Sequence, residues 1–501
     1  MAIQASRDHI RWRQAVAWFA LATLFTACLL IVLYAAAGPS PLVSGSTRWS
    51  SFPGWLAGPL HGLFGRPQVS SRTLDEAFSA LVAGMTVGYF IVLWSWRSVS
   101  MRVLVVFVVA VEAVLLIGPP LQMTDLFNYL AYARLGAVHG LNPYTHVINA
   151  ELRDPTFPLS TWHNWRSPYG TLFTAITYPA ALLPLPAAYW TMKVATVLMS
   201  LAFLWLVGRC ARLLGRDPRL AVLLVAANPI YLIYAVAEFH NDFFMLVPAM
   251  GAVALLLSGR YRSAGAALAV AVAVKMTMVL LLPFLLLAAW RQRAARGVAA
   301  GFALAAAPLA ALSLALFGPA LPNVSGQSQL LTGFSIPNLL GWTIGLGGGT
   351  PQLIRDMDVL IVLVVGYQLL RRRDWLSGAG WATLALLASL GWLMPWYVVW
   401  LLPLAAIAPN VKLRRMTLAA SVFLILAFLP ATGLLLNDLR INPLAGPVGL
   451  AAWKLEWNGQ WYRRGVIQPW VRETALRESQ RCRHAGFDCD RTLRRLERRG
   501  V

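Results

Sequence analysis

Apolar runs of about 20 residues, the length a helix needs to cross a bilayer core, recur along most of this 501-residue chain. Short polar stretches carrying the basic residues separate them. The pattern predicts an all-α protein, a polytopic transmembrane helix bundle of about 11 to 13 spans with extracytoplasmic juxtamembrane helices and loops. The first run, Ala15 to Ala37, is too long for the apolar core of a signal peptide and lacks a cleavage site, so it reads as a retained helix.

Clusters of Lys and Arg mark the cytoplasmic ends of helices and allow the chain to be threaded. Arg7, Arg11 and Arg13 place the N-terminus inside. Ala77 to Trp96 then returns to Arg97 and Arg102, and Val103 to Pro119 leads out, which leaves Asp125 external. Ala188 to Gly208, Leu220 to Val236 and Phe243 to Ser258 alternate, with Arg209, Arg212, Arg216, Arg260 and Arg262 inside. Two stretches resist simple counting. Thr171 to Leu185 is short and carries Pro179 and Pro184, so a juxtamembrane or partly inserted helix is expected. Ser263 to Trp290 has arginines at both ends, which implies a hairpin with Lys275 near its apex. Irregular backbone at that depth is tolerated only against protein or a wet cavity, so the apex is a candidate site wall. Val298 to Phe317, a return to Arg371, Trp381 to Met394, Tyr397 to Ala408 and Met416 to Leu436 complete the path. Residues 1–436 form the expected membrane domain, with a candidate catalytic loop at 120–170. Residues 437–501 form a basic tail expected outside, its Arg and Glu mixture from Val471 reading as a helix that is solvated or lies on headgroups.

Composition agrees: 58% of residues are hydrophobic and only 12% charged. The net charge of +22 resides in clusters between apolar runs and in the tail. Those are topology signals, and no nucleic-acid reader motif is present. Of the four cysteines, Cys28 and Cys210 fall in or beside spans as packing residues. Cys482 and Cys489 could pair in an oxidising compartment or stay free thiols, and their spacing is not that of a zinc site. Gly345-Leu-Gly-Gly-Gly349 lacks the Lys-Ser/Thr of a phosphate loop and reads as a lid or linker, so no cofactor is called for. No internal repeat suggests an inverted-repeat transporter.

The polar residues on the predicted outer face carry the chemistry. An ionisable group beside hydrocarbon is costly, so Asp125, at the lip of a span, is a functional candidate, with a helix N-cap as the plainer reading. One carboxylate among several cations suits transfer of a sugar from a phosphate leaving group. Asp125 would take the acceptor proton while cations offset charge on the phosphate. Lys275, Arg134, Arg166 and His240 are the candidate phosphate binders. Each has an ordinary alternative: a paired lysine, headgroup contacts, an interfacial loop anchor, a satisfied imidazole. Asp242 could bind the sugar or a divalent cation, or cap the following helix. Tyr129, Asn142, Tyr144, Tyr169, Trp396 and Tyr397 complete the proposed sugar and acceptor set, though aromatic belts at membrane interfaces also collect Trp and Tyr. Glu112 lies inside a span and is expected to face the bundle.

In their order along the chain, Asp125-Leu-Phe-Asn-Tyr129, Gly140-Leu-Asn-Pro-Tyr144, Ser167-Pro-Tyr-Gly170, His240-Asn-Asp242, Lys275 followed by Pro283, and Pro395-Trp-Tyr-Val-Val-Trp400 resemble motifs of the GT-C integral membrane glycosyltransferases. The likeness is closest to bacterial polyprenyl-phosphate-mannose-dependent alpha-(1->6)-mannosyltransferases and runs from about Leu121 to Pro430. It implies a polyprenyl-phosphate sugar donor, a glycan or glycolipid acceptor and work on the extracytoplasmic face of the plasma (inner) membrane. It also implies Asp125 as base, Lys275 near the donor phosphate, and a metal-independent inverting reaction from a beta donor to an alpha product. Two departures stand out: extra spans precede Asp125, and the second acidic motif is reduced to Asp242 with Glu238 nearby. A divalent metal therefore stays open. The competing readings are an arabinofuranosyl or other glycosyltransferase of the same fold, a multi-span lipid or solute transporter, and a noncatalytic assembly factor.

Overall fold

The computed structural model describes residues 2–37, 53–63, 65, 69–323, 330–343, 351–371, 374–439 and 441. Cys482, Cys489, the glycine run at 345–349 and all but the start of the expected tail lie outside them. Among the described residues every regular element is helical.

Three helices form the N-terminal layer: α1 (Ala2–Ala36) packs on α2 (Ser71–Ser95) and α3 (Met101–Ile117). Ser70 and Ser100 cap α2 and α3, their hydroxyls accepting from the N–H groups of Thr73 and Val103. After a polar-looking but buried connector, α4 (Asp125–Ala137) carries the candidate loop aspartate at its first position. The following loop leads to α5 (Thr171–Ala181), whose 11 residues rise about 16 Å, too little to cross about 30 Å of hydrocarbon. A short helix is present there, as expected. Next comes α6 (Leu185–Leu213), which is long enough to span.

Where one continuous span was expected at Leu220 to Val236, the chain instead bends by 56° between α7 (Pro218–Ala226) and a π-helical turn, Ile230–Val236. Pro229 has no N–H to continue the ladder, and Asn228 Oδ1 caps the new segment by accepting from the N–H of Ile230 at 2.9 Å. A second 56° bend separates α15 (Val411–Phe428) from α16 (Pro430–Asp438), again at a proline.

The stretch around Lys275 is re-entrant. α8 (Asp242–Leu257) is followed by α9 (Tyr261–Val274), which ends at Lys275, whose backbone is extended (φ −153°, ψ 116°), and a 3-10 turn leads into α10 (Leu282–Trp290). α11 (Ala295–Phe317) begins five residues after Trp290, yet its first turns lie against the start of α9: a Cβ on Gly301 would sit 1.9 Å from the carbonyl oxygen of Arg262. A straight continuation would put Trp290 about 40 Å from Arg262, whereas five residues reach at most about 18 Å. The chain therefore doubles back, with Lys275 at the turn. Gly265 and Gly301 let α9 and α11 touch backbone to backbone, a small-residue packing common between membrane helices.

The C-terminal part adds α12 (Pro351–Arg371), α13 (Trp375–Ser389), a 3-10 turn at Pro395–Trp400, and the short α14 (Leu402–Ile407). The expected span Trp381 to Met394 begins earlier and stops at Ser389, capped at its start by Asp374. Among the described residues four helices are individually long and apolar enough to cross a membrane, or six counting each bent pair as one span. Their outer faces are strongly apolar, with Phe19 and Leu304 both more than 70% exposed. Patches of that kind are tolerated against lipid and not in water, which marks a membrane protein.

Candidate active site

Asp125 occupies the first helical position of α4, with Thr124 as N-cap, so its carboxylate is not spent on capping. Residues at intervals of three and four along α4 share one face. On that face Asn128 Oδ1 accepts from the N–H of Thr161 at 3.0 Å, and the Tyr132 hydroxyl donates to the Trp165 carbonyl at 2.8 Å. These bonds draw the 161–169 loop back over the helix. Its last aromatic, Tyr169, then donates from its hydroxyl to Asp125 Oδ1 at 3.1 Å and meets Tyr129 edge to face at 4.8 Å.

Gly170 joins this loop to the Lys275 turn. A Cβ there would lie 2.3 Å from the Val274 carbonyl oxygen and 2.5 Å from that of Ala273, so only glycine lets the loop seat against the last turn of α9. Lys275 follows immediately. Its Nζ donates to Asp242 Oδ1 at 2.8 Å and lies 4.7 Å from the Trp400 ring centroid and 5.3 Å from that of Tyr397. Trp400 donates its indole N–H to the same Asp242 oxygen at 2.5 Å. The Asp242 side chain is 1% exposed, while that of Lys275 keeps 23%. Desolvation pushes the Asp125 carboxyl up to about 6; the Tyr169 hydrogen bond and the Lys275 cation pull down against it, and the Asp242 charge pushes up.

The loop Glu238–Asp242 joins the two halves. Glu238, 1% exposed, accepts from the backbone N–H groups of Gln122 at 2.8 Å and Met123 at 3.1 Å, with Leu121 a third backbone partner. Burial raises its carboxyl to about 8, against the pull of those N–H groups. Phe239 adopts φ +54°, rare for a bulky residue. His240 stacks on Trp396 at 3.9 Å, with its Nδ1 3.4 Å from the Tyr129 hydroxyl. Burial lowers its pKa to about 3 and keeps it neutral. His240 Nε2, Asp242 Oδ2 and both amide atoms of Gln122 are buried without a hydrogen-bond partner, hydrogen-bonding capacity that an incoming polar ligand could use.

Of the sequence-predicted residues, Asp125, Tyr129, Tyr169, His240, Asp242, Lys275, Trp396 and Tyr397 come together. Arg134 does not join them: it pairs with Asp154 at 2.9 Å and donates to the Ala181 carbonyl at 3.0 Å. Arg166 is exposed on the loop that carries Tyr169. Asn142 and Tyr144 brace loops: Asn142 donates to the Phe317 carbonyl at 2.7 Å, and the Tyr144 hydroxyl lies 3.0 Å from the Tyr169 carbonyl. Glu112 faces the bundle as expected, accepting from Ser200 and Tyr231. Sequence reasoning passed over Lys193, Trp400 and the role of Glu238. Lys193 carried a usable signal, a lone lysine inside the Ala188 to Gly208 span. Among the described residues no group of three His, Cys, Asp or Glu side chains converges as a metal site would require.

A bent, re-entrant helical bundle with a buried ion pair and a carboxylate at a loop helix defines a polytopic membrane protein whose polar centre is built from its connections. The family profile described as alpha-(1->6)-mannopyranosyltransferase, N-terminal domain, matches residues 13–291, more than half of the chain, and the chain belongs to that family. The alpha-(1->6)-mannopyranosyltransferase A of Mycobacterium tuberculosis is 27% identical over 60% of this chain and 64% of its own length. The protein of the same name from Corynebacterium glutamicum is 24% identical over 63% of this chain and 73% of its own. The match thus spans somewhat under two thirds of the mycobacterial relative. No solved structure matches. The Asp125, His240, Asp242 and Lys275 motifs all fall within the matched region.

Proposed function

We propose that the protein transfers a mannosyl residue from a polyprenyl-phosphate donor to a lipid-linked or cell-envelope glycan, on the extracytoplasmic face of the plasma membrane. One observation supports this most: Asp125 and Lys275, 150 positions apart in sequence, are brought to one loop, where Tyr169 donates to Asp125 and Gly170 seats against the helix end that carries Lys275. In this reading Asp125 removes the proton from an acceptor hydroxyl as that oxygen bonds to the sugar anomeric carbon. The bond from that carbon to the phosphate oxygen breaks, its electron pair leaves with the polyprenyl phosphate, and attack from the opposite face inverts the centre. Lys275 has three N–H donors and spends one on Asp242, so the others can meet the phosphate and offset its charge. Arg166, exposed on the same loop, is the second candidate cation. Neutral His240 and the unpartnered Asp242 oxygen suit sugar hydroxyls better than a phosphate charge, with Tyr129, Trp396 and Tyr397 as apolar walls. Arg134 is engaged away from this centre and is left with a bracing role. The path through the membrane is the one threaded from the arginine clusters, with the shorter apolar helices and bent pairs completing a GT-C-like bundle of about 11 to 13 spans.

Purified protein in detergent, given radiolabelled polyprenyl-phosphate mannose and an alpha-(1->6)-linked mannan acceptor, is expected to move label to the acceptor. Asp125→Asn is expected to lose at least a hundredfold while staying folded. Transfer undiminished in Asp125→Asn overturns the base assignment, and no transfer by the unaltered protein from any polyprenyl-phosphate sugar overturns the function.

A further inference from the structure

The connector from α3 into α4, residues 118–124, is buried throughout. A buried stretch of backbone outside any helix must account for its polar groups. Pro119 and Pro120 contribute no N–H. The N–H groups of Leu121, Gln122 and Met123 converge on one side chain, the carboxyl of Glu238, whose oxygens accept from them. At the other end the Gly118 carbonyl accepts from Lys193 Nζ at 2.6 Å. Lys193 is 0% exposed, boxed by the rings of Trp190 at 3.9 Å and Tyr189 and Phe239 at 4.8 Å each. No carboxylate pairs with it among the described residues. So costly a burial needs a return, and its strongest contact is with the connector.

Glu238 and Lys193 also meet through Phe239. The ring of Phe239 packs under Lys193 Nζ, and its positive φ turns the chain so that Glu238 faces the connector while Asp242 meets Lys275 and His240 stacks on Trp396. Strained backbone persists where its surroundings over-determine it. The geometry points to Glu238 and Lys193 as positioning residues that hold the connector from behind and thereby set the Asp125 carboxylate relative to Lys275. Neither touches a reacting atom. The inference rests on the proposed function only in treating Asp125 as the base, and misplacement of such a group by about 1 Å can cost about a hundredfold in rate.

The test uses the full-length protein and the mannose-transfer assay over a range of pH. Glu238→Gln keeps the shape but turns an amide toward the N–H groups, and Lys193→Met keeps the length but removes the donor to Gly118. Both are expected to lower kcat at least tenfold with the donor KM unchanged within twofold. Both should also move the acidic limb of the pH profile, because Asp125 leaves its present surroundings. A variant that merely folded less well would lose amplitude while keeping the limb in place, and that result overturns the inference, as does an unchanged kcat in either variant. Should Glu238→Gln fail to fold, Lys193→Met alone decides on the same criteria. The unaltered protein is the control: if it transfers nothing, the proposed function has failed, whereas a working control beside unaffected variants sinks only the positioning roles.

Discussion

The hydroxyl of Tyr169 donates to Asp125 Oδ1 across 44 residues of sequence, at 3.1 Å. That bond is the direct tie between the carboxylate and the loop that Gly170 seats on the Lys275 turn. It also favours the charged form of Asp125, opposing the desolvation that raises its pKa to about 6.

Replacing Tyr169 by Phe therefore has a definite sign. The base works deprotonated, so transfer should rise with pH through about 6 and then level off. Losing a hydrogen bond to the charged form raises the Asp125 pKa further, by about one unit for a bond of about 1.5 kcal/mol. The acidic limb of kcat should move up by that amount, with a several-fold loss at pH 6 and a smaller one at pH 8. An unmoved limb would show that Tyr169 does not act on the base.

Gly170→Ala tests the seating of the loop. The added Cβ would meet two backbone carbonyl oxygens, at 2.3 and 2.5 Å, and neither is a flexible side-chain end that can swing aside. Overpacking of this kind costs about 1–3 kcal/mol. We expect a lower Tm and at least tenfold slower transfer, because separating Tyr169 from the α9 terminus also separates Asp125 from Lys275. Normal kinetics would show that the two halves need not touch.

Much of this was legible in the chain because membrane helices announce themselves by run length, and a lone charge in an apolar run is conspicuous. Lys275 stood out for that reason, and the arginines on either side of Ser263 to Trp290 implied the reversal at Lys275 between α9 and α10. The bends at Pro229 and Pro430 carried a local signal, a proline within each apolar run, but their angle depends on packing. What no local pattern encodes is pairing at a distance. Glu238 meets Gln122 across 116 positions and Trp400 meets Asp242 across 158, so both roles appear only once the helices are assembled. Arg134 shows the converse: adjacency to Asp125 on one helix suggested a shared task, but the side chain points to Asp154.

Arg134→Met should separate bracing from phosphate binding. Asp154 holds Arg134, His139 and the Thr156 turn together, and although desolvation raises its pKa, those hydrogen bonds outweigh it and leave it below the ordinary value. A carboxyl with a lowered folded pKa stabilises the protein above its unfolded pKa, and that contribution fades as pH falls through the folded value. Arg134→Met is expected to lower Tm at neutral pH and to narrow the gap from the unaltered protein as pH falls toward 3, with donor KM unchanged. A donor KM raised tenfold at undiminished Tm would return Arg134 to the phosphate site.

The Lys275–Asp242 pair is open to a double-mutant cycle, because its structural and chemical roles predict different results. Asp242 is 1% exposed in its side chain, so Lys275→Met leaves a buried carboxylate facing only the Trp400 indole, a loss of about 3–5 kcal/mol for a broken buried pair. Asp242→Asn in the same chain removes the stranded charge and should recover most of that stability, since replacing both members of a buried pair is often close to neutral. Transfer should not recover with it. If Lys275 offsets charge on the leaving phosphate, the double variant should be as stable as the unaltered protein by thermal unfolding while remaining at least a hundredfold slower. A double variant that regains both Tm and kcat would reduce Lys275 to the partner of a buried carboxylate and leave the leaving phosphate to Arg166.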